Sequence, residues 1–162
     1  MNRQTLITGA VATLTALTFQ HAAYAEPKHG KSLERGRYLL VVGGCNDCHT
    51  PGFAESGGKL EPKQWLTGSD VGFQGPWGVT YPGNLRTLVA SLNEKEWLQH
   101  ARNPMRPPMP SPSLMIMTDE DLKSIYRYIR HLGTAGTAAP DYVPPGQPVT
   151  TAVINFVPVK PL

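Results

Sequence analysis

The chain has 162 residues, 17% of them charged and 40% hydrophobic, proportions that exclude both a charge-rich disordered protein and a membrane-embedded one. The formal net charge is +3, but the positive residues are scattered, which excludes a dedicated nucleic-acid binder. Glycine and proline number 16 each, well above ordinary usage, so long irregular loops are expected and something other than regular structure must order them.

At the start of the chain, Met1–Thr5 carries a single charge, Arg3. Leu6–Phe19 is apolar, and Ala23-Tyr24-Ala25 is a small-x-small site. This three-part pattern predicts a secretory signal peptide over residues 1–25, cleaved after Ala25. The apolar stretch is broken by threonines and falls short of the ~20 residues a membrane span needs. No later segment is longer, so a mature chain in the periplasm with no transmembrane segment is expected.

Three helices follow. Ser32–Val42 has a serine at its start and Gly43-Gly44 as its stop. Ser91–Asn103 places Ser91 and Glu94 at capping-box spacing and ends at Pro104. In the third, Thr118 caps an acidic first turn, and Leu122, Ile125, Tyr126 and Ile129 recur at one-face spacing up to the stop at Gly133. Met117 and Leu122 fit a hydrophobic staple across that cap. Between the helices lie Thr50–Ala90 and Pro104–Met117, rich in glycine and proline and without periodicity. Loops of that length in a compact domain are expected to be functional or wrapped around something large. The segment Thr134–Leu162 has six prolines, and its apolar Val153–Val157 favours an extended tail against the body over a free linker.

The chemistry is concentrated in Cys45-Asn46-Asp47-Cys48-His49. These are the only two cysteines, and two so close in sequence cannot staple a fold. Two thiols two residues apart with histidine directly after form the attachment signature of a c-type haem. Each thiol adds to one vinyl group, and the adjacent imidazole becomes the proximal iron ligand. With this composition a chance match is about one in a thousand. A thioredoxin-type dithiol would need a βαβ setting, and a zinc site would need two further ligands at finger-like spacing. Neither is readable. One covalent haem on Cys45 and Cys48, with His49 on the iron, is the expectation.

Around that motif, Arg35-Gly36-Arg37-Tyr38-Leu39, Gly43–Pro51, Pro82-Gly83-Asn84-Leu85, Pro108-Met109-Pro110 and Thr118–Leu122 resemble the class I cytochrome c family. More narrowly, they resemble single haem domains in the cytochrome subunits of periplasmic, membrane-associated dehydrogenases. The likeness runs from about Leu33 to Leu132. Such subunits usually carry three of these domains where this chain has one, and usually continue Asn-Leu with Thr-Pro where this chain has Arg86-Thr87.

The resemblance implies an all-α, cytochrome c-like fold: three to four short helices around the haem, with long Gly/Pro-rich loops. Together with the signal pattern and the proline-rich tail, it divides the chain into a signal peptide 1–25, a haem domain 26–133 and a Pro-rich extended tail 134–162. The first and last helices would cross at Gly36, with Tyr38 or Leu39 meeting Tyr126 or Ile129. Trp77, Tyr81, Asn84 and Arg86 either line the haem edge or are ordinary loop residues. Pro76 or Pro82 offers a carbonyl to the ring N–H of His49. For the distal iron ligand, the resemblance points to Met109, held between Pro108 and Pro110 nine residues before Thr118. Met105, His100 and His131 remain alternatives, and Met115 is expected to fill core.

Two filled axial positions leave no open site for substrate, so a one-electron carrier is expected rather than an enzyme. Its expected partners are redox proteins, such as a dehydrogenase and a terminal acceptor. The competing readings are a haem enzyme, with His100 and Arg102 as acid–base groups, and a haem-based ligand sensor with a labile sixth ligand.

Overall fold

A computed structural model describes residues 28–157; the predicted signal peptide and the last residues of the tail lie outside them. Two helices frame the molecule. α1 spans Lys28–Val42, and the last helix, Asp119–Leu132, packs across it. The crossing is close because Gly36 has no side chain. A Cβ there would overlap the Ser124 carbonyl and lie 2.8 Å from Cβ of Tyr128. On either side of that contact Leu39, Leu40, Leu122, Ile125, Tyr128 and Ile129 are buried together. Of the two candidates for the crossing, Leu39 is the buried one, and Tyr38 is 55% exposed, with the Arg35 guanidinium 5.5 Å from its ring centre. Helical rotation from Leu39 carries it to the outer face. Arg35 also reaches Asp121 at 2.9 Å, and Thr118 accepts the N–H of Asp121, so the first turn of the last helix is tied at its cap and across to α1.

The other helices are shorter. α2 spans Cys45–His49, α3 Leu85–Ser91, α4 Glu94–Arg102 and α5 Ser111–Ile116, which makes Asp119–Leu132 α6. The helix expected over Ser91–Asn103 is α4, which starts three residues later. Ser91 ends α3, its hydroxyl donating back to the Leu88 carbonyl at 2.7 Å. The capping box belongs to Asn93 and Glu96, whose reciprocal bonds measure 3.0 and 2.8 Å. α3 and α5 lie within the stretches read as loop. Seven and six residues are too few to show a period. Pro112 is also compatible with α5, because a first-turn residue needs no intrahelical N–H.

The expectation of an all-α fold is corrected by a small sheet. β1, Gly72–Gly75, and β2, Gly78–Thr80, form an antiparallel hairpin, and β3, Val153–Asn155 from the tail, runs parallel to β1. The order is β2-β1-β3. Strands of three or four residues, half glycine in β1, carry no readable alternation, and the β1–β3 partner is some eighty positions away. The tail follows the hairpin closely. Gly72 N–H donates to Ala152, Phe156 N–H donates to Gln74, and Val143 exchanges two bonds of 3.0 and 2.8 Å with Val79. A Cβ on Gly78 would collide with the Val143 carbonyl, so only glycine admits the tail there. The ring of Phe156 lies 5.7 Å from Phe73 and 6.1 Å from Trp77.

Ending the chain after Gly133 removes these contacts and is expected to lower the melting temperature by several degrees, the effect of about 1–2 kcal/mol in a domain of this size. A thermal melt of the holoprotein followed by circular dichroism checks it; an unchanged curve would mean that the tail adds nothing to stability.

Candidate functional site

Only Gly43 and Gly44 separate α1 from α2. Gly44 takes a left-handed conformation, φ 67°, which turns the chain sharply enough for α2 to start at Cys45. The far end of α2 is pinned from several directions. Thr50 Oγ1 donates to Asn46 Oδ1 and accepts the N–H of Leu66, both at 2.7 Å. Leu66 is fully buried and has φ 63°, a strained conformation for leucine. Its N–H bond to Thr50, and its carbonyl bond from Leu85 N–H at 3.0 Å, hold it there. The Gly68 N–H donates to the His49 carbonyl at 2.9 Å.

His49 is 8% exposed, and its Nδ1 lies 2.7 Å from the Gly83 carbonyl. A carbonyl can only accept, so Nδ1 carries the proton and Nε2 is left with a free lone pair. Burial pushes the imidazole below its ordinary value, against the opposing effect of the Gly83 bond, so the ring is neutral at pH 7. The Cys45 thiol is pushed up to about 11, chiefly by burial, and burial also raises Cys48, with the charge of Asp47 adding to it. Two protonated thiols and a neutral imidazole thus stand on one helical turn and a half.

All three side chains line one cavity of about 800 Å³, a volume suited to a bound cofactor. Its walls come from every part of the fold: Leu40 of α1, Ile125 of α6, Trp97 of α4, Leu114 of α5, Tyr81 beyond the hairpin, and the proline-rich loop 104–110. Met109 lines it, as do Met105 and His100. His131 is exposed on α6 and Met117 is packed against the core, and neither faces the cavity. Met115, expected in the core, is 39% exposed. An apolar cavity, two thiols at vinyl spacing, a neutral imidazole with a lone pair and a thioether form a donor set that fits a covalently bound haem.

The alternatives left open for Trp77, Tyr81, Asn84 and Arg86 separate by position. Of these four, only Tyr81 lines the cavity. Asn84 caps α3, accepting from Arg86 and Thr87 N–H, while its amide donates to the Ala135 and Thr137 carbonyls. Arg86 is buried and donates to the carbonyls of Lys63, Trp65, Leu132 and Gly133, satisfying the end of α6. Trp77 donates to the Phe73 carbonyl within the hairpin. The carbonyl on the His49 ring belongs to Gly83 rather than Pro76 or Pro82, one residue beyond the proline that turns the chain toward it. Arg106, Pro140 and Tyr142 also line the cavity. Nothing in the sequence pattern marks the two tail residues, Pro140 and Tyr142; the tail is held beside the site by the Val143–Val79 pairing and by the Tyr142 hydroxyl on the Trp77 carbonyl.

The Cytochrome c family model matches residues 33–133. Among curated proteins, the cytochrome c subunits of quinone alcohol dehydrogenases from Gluconacetobacter polyoxogenes and Komagataeibacter europaeus are each 27% identical over 149 residues. Those matches cover 85% of this chain and 30% of each relative. The fructose dehydrogenase cytochrome subunit of Gluconobacter japonicus is 29% identical over 112 residues, covering 62% of this chain and 21% of that one. The chain thus spans less than a third of the length of the curated relatives it matches. No solved structure matches significantly.

Replacing Cys48 or His49 by alanine is expected to abolish most of the holoprotein, and Cys45→Ala to leave at most a weakly attached, single-thioether form. Extraction into acid organic solvent followed by mass spectrometry reads this directly: a variant keeping unextractable haem at the parental level would contradict the assignment.

Proposed function

This chain belongs to the cytochrome c family, and on that premise we propose that it is a periplasmic, mono-haem, one-electron carrier between a dehydrogenase and a terminal acceptor. The observation that carries the reading is the convergence of Cys45, Cys48, His49 and Met109 on one apolar cavity. A haem bound there would supply an iron that takes up and gives back a single electron. Cys45 and Cys48 would hold it covalently. His49 would be the proximal ligand, with the Gly83 carbonyl fixing its tautomer and ring orientation and raising its basicity.

Met109 is the proposed distal ligand. Its N–H donates to the Arg106 carbonyl at 3.2 Å and its carbonyl accepts from Ser111 N–H at 2.8 Å, so the loop fixes both of its backbone groups. Met105 is anchored as well, its N–H donating to the buried Ser111 hydroxyl at 2.8 Å. Prolines on both sides of Met109 reduce the freedom that a thioether ligand would otherwise lose on binding, which favours it over Met105. Of the acid–base groups a haem enzyme would draft, Arg102 is fully engaged with the carbonyls of Leu114, Met115 and Met117 and with Asp119. His100 stacks on Trp97 with ring centres 6.2 Å apart.

The single Cys-x-x-Cys-His motif supports one haem per chain. Residues 26–133 are proposed as the haem domain, 134–162 as its extension and 1–25 as a cleaved signal. The similarity to dehydrogenase cytochrome subunits supports a dehydrogenase as electron donor.

The Met109→Ala variant is expected to lose the weak near-infrared sulfur-to-iron band, to fall in reduction potential and to bind carbon monoxide, all read by absorption spectroscopy and redox titration. Loss of the band in Met105→Ala, with Met109→Ala unchanged, would move the ligand to Met105. A native mature mass equal to residues 26–162 plus one haem is also expected, and an intact Met1 would refute export with cleavage.

A further inference from the structure

The loop carrying Met109 is internally tight, and its Met105 and Met109 pack against the core, but few polar contacts tie it to the rest of the molecule. Apart from bonds to its neighbours in sequence, loop 104–110 has two polar attachments among the described residues. Thr80, at the end of β2, donates its hydroxyl to the Pro107 carbonyl at 2.6 Å. The Arg106 guanidinium lies over the ring of Tyr142, 4.1 Å from its centre. Both lead back to the same place. Tyr142 belongs to the tail and donates its hydroxyl to the Trp77 carbonyl at 2.7 Å, in the turn of the hairpin. Val143, next to it, is paired with Val79, next to Thr80. Hairpin, loop and tail therefore form a closed circuit, with Arg106 and Met109 on one arm and Tyr142 on another. Arg106, Met109, Thr80 and Tyr142 all line the haem cavity.

Resting on Met109 as distal ligand, we infer that Tyr142 of the tail is a positioning residue for that ligand, clamping its loop through Arg106 so that the thioether stays on the iron. The tail lies beyond residues 33–133, the span that the family model matches. The physics favours such a device. A thioether is a weak ligand for ferric iron, and its retention depends on how little freedom the loop gains when the bond opens. A guanidinium stacked on a tyrosine ring resists that opening, and a ring fixed by its own hydroxyl bond is a rigid platform. Tail and loop are thus coupled: whatever displaces Tyr142 loosens the sixth ligand.

The test is exogenous imidazole binding to the ferric holoprotein, followed by loss of the sulfur-to-iron band. Tyr142→Leu and Arg106→Gln remove the same contact from opposite sides. Each is expected to bind imidazole about tenfold more tightly than the parent, equivalent to about 1.4 kcal/mol. The double variant is expected to show no more than either alone. Tyr142→Phe keeps the ring and loses only the hydroxyl bond, so it is expected to recover most of the parental affinity. A purely structural tail contact would lower the melting temperature and leave imidazole affinity unchanged. Parental affinity in Arg106→Gln, an exposed position that leaves the core untouched, would overturn the clamp even if Tyr142→Leu fails to fold. Met109→Ala, measured alongside, separates the two readings. If it keeps the band, the ligand assignment fails and the clamp falls with it; if it loses the band while both single variants stay parental, the clamp alone fails.

Discussion

The close crossing of α1 and α6 at Gly36 is the contact on which the rest of the molecule depends. It sets two directions at once. At its C-terminal end α1 passes through the left-handed Gly44 into α2, so the crossing decides where both thiols and His49 stand. At the end of α6, the Leu132 and Gly133 carbonyls are grasped by Arg86. Arg86 lies in the first turn of α3, directly after the loop whose Gly83 carbonyl meets the His49 ring. The imidazole is fixed through α2 to α1, and its hydrogen-bond partner 34 residues away is fixed through Arg86 to the end of α6, so the crossing at Gly36 bears on both.

Apart from His49, the buried polar groups are used for construction rather than for chemistry. Arg86 and Asn84 satisfy helix ends and loop carbonyls that would otherwise be orphaned away from water, and the half-buried Arg102 binds the carbonyls at the end of α5. Burial pulls the Arg86 guanidinium below its ordinary value, and four carbonyls accept its N–H groups. The cavity is left with an apolar lining and only a few polar groups. In such a low-dielectric setting the fixed dipole of the Gly83 carbonyl acts on the His49 ring with little competition from water.

Loops make up much of the wall of that cavity, and they are ordered by one another. Thr50 links α2 to Leu66, Leu66 links to Leu85, and Asn84 links α3 to the start of the tail. The tail completes a sheet with the hairpin, and the hairpin and tail together hold the methionine loop. High glycine and proline content is compatible with this arrangement because each segment is short, is bonded sideways, and needs few intrahelical partners.

What the sequence by itself determined was local chemistry and strong local periodicity. The Cys45–His49 motif, the acidic cap and apolar face of α6, the glycine stop of α1 and the proline bracket around Met109 each lie within a few residues and require no knowledge of the fold. Asn93 and Glu96 were equally local, but Ser91 and Glu94 offered the same spacing two residues earlier, and only the backbone break after α3 separates them. Tertiary structure alone decided the remainder. Which carbonyl meets His49, that Arg86 serves the end of α6, and that a short strand of the distant tail pairs with β1 are all consequences of long-range contacts. Their partners are tens of residues apart, and each is chosen by the steric fit of the whole chain, which no local pattern encodes.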